Sequence, residues 1–189
     1  TQLCSSAASD VYKRQDEAIE KANAKINATY ERNVRLGRIT TEQKKQIMSL
    51  FSAVTNMEIL NDRDLIIEAV FEDMEIKKQV FMKLDKICNK DCILASNTSY
   101  LNVNDIAAVV DDPSRVIGLH FFSPANIMKL LEIVVADKTS DHTVATAFSL
   151  AKRMKKVPVR SGVCDGFIGN RILSKYLIGT YHMVEDGAS

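Results

Sequence analysis

The stretch Val116-Ile-Gly-Leu-His-Phe-Phe-Ser-Pro-Ala-Asn-Ile-Met-Lys-Leu-Leu-Glu-Ile-Val-Val135 decides how the rest of the chain is read. Two apolar runs flank a short Ser-Pro loop, and each run carries one buried-looking ionisable residue, His120 or Glu132. A parallel crossover needs about a dozen residues or more, usually through a helix. The loop from Ser123 to Met128 is too short for that, so the second run is expected to return antiparallel. His120 and Glu132 are placed symmetrically about Asn126. A regular return therefore sets them opposite one another, with Cβ atoms roughly 5 Å apart. A carboxylate beside an imidazole fixes its tautomer and balances the imidazolium, as a general acid/base near neutral pH requires. The plain alternative is a core histidine satisfied by a chance acid. The mirror placement of the acid on an apolar strand weighs against it.

The flanking sequence gives the frame. The chain has 189 residues, 46% of them hydrophobic and 26% charged, with a net charge of +1. This is a globular composition with room for one sizeable core and part of a second. The near-neutral charge excludes an electrostatic footprint for nucleic acid or an anionic membrane. No apolar run approaches the roughly 20 residues of a membrane span. Cys4, Cys88, Cys92 and Cys164 are too sparse for a disulfide framework, and no nearby His or further Cys completes a metal site around Cys88 and Cys92. No metal is expected. Free thiols in a reducing compartment, the cytoplasm, are. Residues 1–15 have the pattern of neither a signal peptide nor a transit peptide.

Helical spacing predicts a helix over Asp16–Leu36, stopped by Gly37, and a second from Thr40 or Thr41 to about Leu50 with a Thr40-x-x-Gln43 capping box. Strands and helices then alternate. Strands are predicted at Leu65–Val70, Cys92–Ser96, Val116–Phe122, Leu130–Val135 and Val157–Arg160, the last an edge strand because of Pro158. Helices are predicted at Met74–Ile87, Val103–Val110, Asp141–Lys155 and Gly166–Asp186. The basic run Lys152, Arg153, Lys155 and Lys156 is accounted for by the favourable field at a helix C-terminus. The apolar stripe of the last helix runs to the end of the chain and needs a partner surface, so it reads as the first helix of a separate all-α domain.

Apolar strands alternating with helices imply a mostly parallel sheet covered on both faces, with one antiparallel pair. In such sheets sites lie at the C-terminal strand ends. Glu72, the run Ser96-Asn-Thr-Ser99 and His120 all fall there. Each has an ordinary explanation alone, as a first-turn acid, loop chemistry or a core histidine; their convergence is the functional signal. Glu68, inside an apolar strand, reads as a hydrogen-bonding support.

These residues resemble the L-3-hydroxyacyl-CoA dehydrogenase family. The resemblance rests on Leu65-Ile-Ile-Glu-Ala-Val-Phe-Glu72, Ile93-Leu-Ala-Ser-Asn-Thr-Ser99, Gly118-Leu-His-Phe-Phe-Ser-Pro124, Met128-Lys-Leu-Leu-Glu132 and Gly166-Phe-Ile-Gly-Asn-Arg171, in that order. It covers Asp16 to the C-terminus. It implies a Rossmann-like α/β fold and NAD-dependent interconversion of a 3-hydroxyacyl-CoA and its 3-keto form, as in fatty-acid β-oxidation or butanoyl-CoA metabolism. By the resemblance His120 is the acid/base, Glu132 orients it, and Ser99 and Asn170 hold the reacting oxygens. Ala69, Glu72, Lys77 and Asn97 match positions beside the cofactor. The domains implied are a non-family or artefactual segment over 1–15, a partial NAD-binding domain over 16–162 and the start of a helical domain over 163–189. The resemblance also implies an acyl-CoA substrate and a parent homodimer formed through the helical domain. The Phe-Phe-Ser-Pro-Ala form, with Ser123 where short members usually carry Asn, resembles bifunctional enzymes fused to an enoyl-CoA hydratase.

Three departures qualify this. The family's opening strand, Gly-x-Gly-x-x-Gly turn and helix have no counterpart here, since the first glycine is Gly37. Lys13 stands about where the family has an acid for the adenosine ribose. Most of the helical domain is also absent. The chain alone is therefore expected to fold in part, to bind NAD weakly or not at all, and to be inactive. Competing readings are an inert fragment, a structural crystallin-like relative, or a hydroxyacid dehydrogenase of the 6-phosphogluconate type. The last needs a catalytic Lys in an apolar setting, and the region around His120 offers none.

Overall fold

The computed structural model describes residues 9–12 and 16–187. The chain divides into two compact units, Thr1–Asn61 and Asp62–Ser189.

In the first unit, α1 (Asp16–Arg35) and α2 (Thr41–Ser49) lie between two short strands, β1 (Ser9–Tyr12) and β2 (Phe51–Val54), which pair in parallel from Ser9↔Phe51 to Tyr12↔Val54. α1 ends as expected. Gly37 adopts φ +66°, and its N–H reaches the Val34 carbonyl at 2.9 Å. The capping box also forms: Thr40 Oγ1 accepts from Gln43 N at 3.1 Å, and Gln43 Oε1 accepts from Thr40 N at 2.8 Å. The two strands are a correction to the sequence reading, which assigned none before Leu65. Neither four-residue segment has an apolar run to signal it. Residues 1–8 and 13–15, with Cys4 and Lys13, lie outside the described residues, so the expectations for them are not addressed by the structure.

The second unit is an α/β, Rossmann-like sheet. Its strands are β3 (Leu65–Glu68), β4 (Ile93–Ser96), β5 (Val116–Phe121), β6 (Leu130–Val135) and β7 (Val157–Gly162), in the spatial order β3-β4-β5-β6-β7. All neighbours are parallel except β5 and β6, which are antiparallel. β7 is an edge, as Pro158 requires. It runs two residues beyond the predicted Arg160, to Gly162. The helices are α3 (Met74–Ile87), α4 (Val103–Ala107), α5 (Asp141–Arg153) and α6 (Gly169–Glu185).

Strand alternation assigns the two faces. Ile93, Ala95, Ile117, Leu119, Leu131 and Ile133 point one way, into a buried cluster with Val144, Ala147 and Ala151 of α5. Each large aliphatic side chain so buried contributes about 1.5–3 kcal/mol. Gly118, of opposite parity, faces α4. A Cβ there would sit 2.7 Å from Val134 Cβ and 3.2 Å from Val103 Cγ2. The sheet is thus covered on both sides, and His120 and Glu132 share the parity of Gly118 and Val134.

α4 ends at Ala107, three residues before the predicted Val110. Two further helix boundaries differ from expectation for one shared reason. α6 begins at Gly169, three residues late, because Gly166 (φ +66°) and Phe167 (φ 48°) are left-handed. α5 ends at Arg153 because Lys155 is left-handed too, at φ 56°. That conformation costs an L-residue about 1–2 kcal/mol. α6 is exposed along its length, with Ile172, Tyr176 and Tyr181 two-thirds or more uncovered. Among the described residues no helix is long and apolar enough to cross a membrane, and no cluster of His, Cys, Asp or Glu could hold a metal.

Candidate active site

The antiparallel return pairs His120 with Glu132 directly across β5 and β6. His120 Nδ1 lies 2.7 Å from Glu132 Oε2, and both side chains are buried. An ionised carboxylate only accepts hydrogen bonds, so Nδ1 carries the proton and Nε2 the lone pair. Nothing among the described residues is hydrogen-bonded to Nε2. The ring packs at a tilt against Phe122, with centroids 4.5 Å apart, and against Phe167 at 5.7 Å.

Glu132 is fully buried, and its second oxygen is used as well. Oε1 accepts from Ile168 N at 3.1 Å and from Gly169 N at 2.7 Å. These N–H groups stand at the start of α6, where a carboxylate is favoured by the orphan donors and the helix dipole. The left-handed pair Gly166–Phe167 turns the chain so that both reach one oxygen. A side chain at Gly169 would collide with the Phe122 ring at 2.7 Å, which explains the glycine. The sequence reading found the dyad but missed this second clamp, because backbone donors leave no mark in residue types. Asn170 follows Gly169 in α6 and is half-buried.

The ends of β3 and β4 carry a second polar cluster. Lys77, fully buried on α3, places Nζ 2.8 and 3.1 Å from the Glu68 carboxylate oxygens, 3.5 Å from the Val70 carbonyl and 3.4 Å from Glu72 Oε2. Ser96 Oγ and Val70 N also donate to Glu68, at 2.7 and 2.6 Å. Glu68 is the support the sequence suggested. Glu72 Oε1 accepts from the Thr98 hydroxyl at 2.5 Å, Ser99 N at 2.7 Å and Tyr100 N at 3.2 Å. Burial raises the Glu72 pKa. The Thr98 and Ser99 bonds, the Lys77 charge and the Tyr100 bond outweigh it together and hold the carboxyl below its usual range.

Asn97, just past β4, ties to both neighbouring strands: its N–H donates to the Glu68 carbonyl of β3 at 2.8 Å, and its Oδ1 accepts from Phe121 N of β5 at 2.9 Å. Thus Glu68, Glu72, Lys77, Asn97 and the Ser99 backbone are one connected group. Ala69 is exposed just past β3, and Ser99 is half-buried past β4.

The favourable field at a helix C-terminus does not account for Lys156, which stands beyond the end of α5. Its Nζ donates to the Ala125 carbonyl and, at 2.6 Å, to the Met128 carbonyl in the loop between β5 and β6. Partial burial lowers its pKa. Both partners are main-chain atoms far away in sequence, so no spacing could have disclosed them.

Residues 3–164 match the model of the 3-hydroxyacyl-CoA dehydrogenase NAD-binding domain. The chain is 49% identical over 142 residues to the peroxisomal bifunctional enzyme of Danio rerio, covering 75% of this chain and 20% of that protein. It is 42% identical over 176 residues to a 3-hydroxybutyryl-CoA dehydrogenase of Clostridioides difficile, covering 93% of this chain and 63% of the relative. The chain therefore spans less than two thirds of either relative. The crystal structure of 3-hydroxybutyryl-CoA dehydrogenase from Escherichia coli K12 superposes with a TM-score of 0.93 at 34% identity, covering 95% of this chain and 38% of that one. The (S)-3-hydroxybutyryl-CoA dehydrogenase of Ralstonia eutropha superposes at 0.95 with 28% identity, covering 98% and 66%. The match beginning at residue 3 includes part of the segment that the motifs alone left outside the resemblance. With the family model covering well over half of its length, the chain belongs to the 3-hydroxyacyl-CoA dehydrogenase family, of which it carries NAD-binding-domain sequence.

Proposed function

We propose that the protein to which this chain belongs interconverts (S)-3-hydroxyacyl-CoA and 3-ketoacyl-CoA with NAD, using His120 as the proton acceptor and donor. The observation that carries this is the buried 2.7 Å contact between His120 Nδ1 and Glu132 on a strand pair that leaves Nε2 uncommitted.

The residues fit one end of the cofactor better than the other. Ala69, Glu72 and Asn97 gather at the strand ends over the buried Lys77, which holds Glu72 from beneath, and Val70 and Phe71 are exposed beside them as apolar surface for a flat ring. The glycine turn that brings backbone N–H groups to a pyrophosphate has no counterpart among residues 1–36. When bound, NAD supplies the acceptor for the hydride that leaves C3.

The chain's own groups handle the proton. His120 Nε2 takes it from the C3 hydroxyl as the carbonyl forms, and returns it in the reverse direction. Glu132 holds the proton on Nδ1 and balances the imidazolium, itself steadied by the two N–H groups of α6. Ser99 and Asn170 are assigned to hold the reacting oxygens. Glu72 fixes the backbone of Ser99, so the two strand-end clusters act on one substrate.

Fusion to an enoyl-CoA hydratase is consistent with the Phe-Phe-Ser-Pro-Ala form and with relatives named bifunctional. A homodimer formed through helical sequence beyond α6 is consistent with that helix's uncovered apolar face. Cys88, Cys92 and Cys164 are in no disulfide, which fits a reducing compartment such as the cytoplasm, although several relatives are named peroxisomal. An inert or crystallin-like role is the second reading; it leaves the buried dyad and its uncommitted Nε2 without a purpose. The test is NADH oxidation by short 3-ketoacyl-CoA thioesters, assayed on the protein that carries this chain. Stereospecific formation of the (S)-hydroxy product is expected. Absence of turnover at every chain length would contradict the proposal.

A further inference from the structure

We propose that Lys156 is a positioning residue for the acid/base pair: by holding the Ala125 and Met128 carbonyls it closes the 122–129 connection from the face opposite His120 and sets the spacing of His120 and Glu132. This rests on the dehydrogenase reading for its consequence in turnover, but not for its structural part.

The argument begins with strand parity. His120 and Phe122 project to the face that meets Phe167 and α6. Phe121, between them, projects to the α5 face, where it packs against the main core cluster. The Lys156 ammonium sits 6.0 Å over the Phe121 ring. Lys156 therefore reaches the loop from behind the strand pair, where it cannot touch a substrate on His120.

The loop has little else to hold it. Its turn is closed by the Ile127 and Met128 N–H groups, which both donate to the Pro124 carbonyl, at 2.9 and 3.0 Å. Ile127 is 68% exposed and Met128 41%, so apolar packing there is slight. The dyad lies only one ladder pair, Phe121↔Leu131, from the loop. Fraying of that pair changes the His120–Glu132 distance directly. Lys156 is well placed to prevent it. The next residue begins β7: Val157 N donates to the Lys129 carbonyl at 2.8 Å, and Val157 pairs with Leu130 at the loop-proximal end of β6. One segment thus ties the end of β6 through its backbone and the loop through its side chain. Hydrogen bonds donated by a charged group are about twice as strong as neutral ones.

The test compares Lys156→Met, Lys156→Arg and the unchanged chain. Amide hydrogen exchange at Ile127 and Met128, and the downfield proton resonance of His120 Nδ1–H, are read in each. Lys156→Met should accelerate exchange at both amides by about ten- to a hundredfold and broaden or shift the His120 signal. Lys156→Arg, which also donates to two carbonyls, should restore both. In the assayable enzyme, Lys156→Met should lower kcat and leave KM for the acyl-CoA within about a factor of two. Should Lys156→Met fail to fold, Lys156→Gln, which keeps a donor without the charge, should show the same changes at reduced size. Unchanged loop exchange in Lys156→Met, or loss in Lys156→Arg equal to that in Lys156→Met, would overturn the proposal. Turnover absent from the unsubstituted enzyme, with the exchange pattern as expected, would sink the dehydrogenase reading and leave the loop assignment standing.

Discussion

Two of the buried carboxylate–base pairs, Glu68–Lys77 and Glu132–His120, are built to opposite ends. Glu68 and Lys77 close on themselves. Every exchange partner of the ammonium is protein: both Glu68 oxygens, the Val70 carbonyl and Glu72. Glu132 and His120 are closed on one side only. Glu132 receives the imidazole and two backbone N–H groups, while the outer nitrogen of the imidazole has no hydrogen-bond partner among the described residues. The difference teaches what separates a structural pair from a chemical one. Burial and a hydrogen-bonded carboxylate are common to both; an uncommitted atom is not.

Substitutions at each pair should therefore fail differently. His120→Ala should lower kcat by about 10²- to 10⁴-fold, the range for a general acid/base, while acyl-CoA binding measured by titration changes little. A change in kcat of only a few-fold would move His120 into the structural class. Lys77→Met should instead strand the Glu68 carboxylate in the interior and cost about 3–5 kcal/mol of stability, read by denaturant unfolding. Replacing both partners, Glu68→Leu with Lys77→Met, should recover much of that loss, since a buried pair is often matched by apolar residues of similar volume. A Lys77→Met protein as stable as the original would show that the carboxylate is satisfied without its cation.

Glu72 touches the closed pair from the solvent side and gives a smaller, pH-dependent effect. Its folded pKa is depressed, so its bonds contribute stability above the unfolded pKa and lose it as pH falls through the lower folded value. Glu72→Gln should consequently be less stable than the parent chain near neutral pH. The gap should narrow as pH drops below about 4.3, the ordinary glutamate value. A gap that is constant from neutral pH to acid would mean the Glu72 bonds do not depend on its charge.

What the sequence disclosed follows the same division. The β5–β6 return, its register and the dyad were legible because they depend on loop length and mirror position, which residue order records. The parallel strands β3 to β5 were legible from their apolar runs. β1 and β2 were not, because four residues of mixed polarity leave no periodic trace. The start of α6 was set three residues early because helical periodicity runs through Gly166 and Phe167, although their backbone is left-handed. The clamps on Glu132 from Ile168 and Gly169 and on the loop from Lys156 use main-chain atoms. Such contacts are specified by the fold as a whole and by no local pattern.

The central claim is that His120 and Glu132 act as one unit. Its most direct test is a double-mutant cycle on kcat with His120→Ala, Glu132→Gln and the double variant. Groups acting as a unit are strongly non-additive. The double variant should therefore be no slower than His120→Ala alone, within about a factor of three. Losses that multiply, so that the double variant falls by the product of the two single effects, would contradict the dyad and leave Glu132 as a structural acid beside an independent histidine.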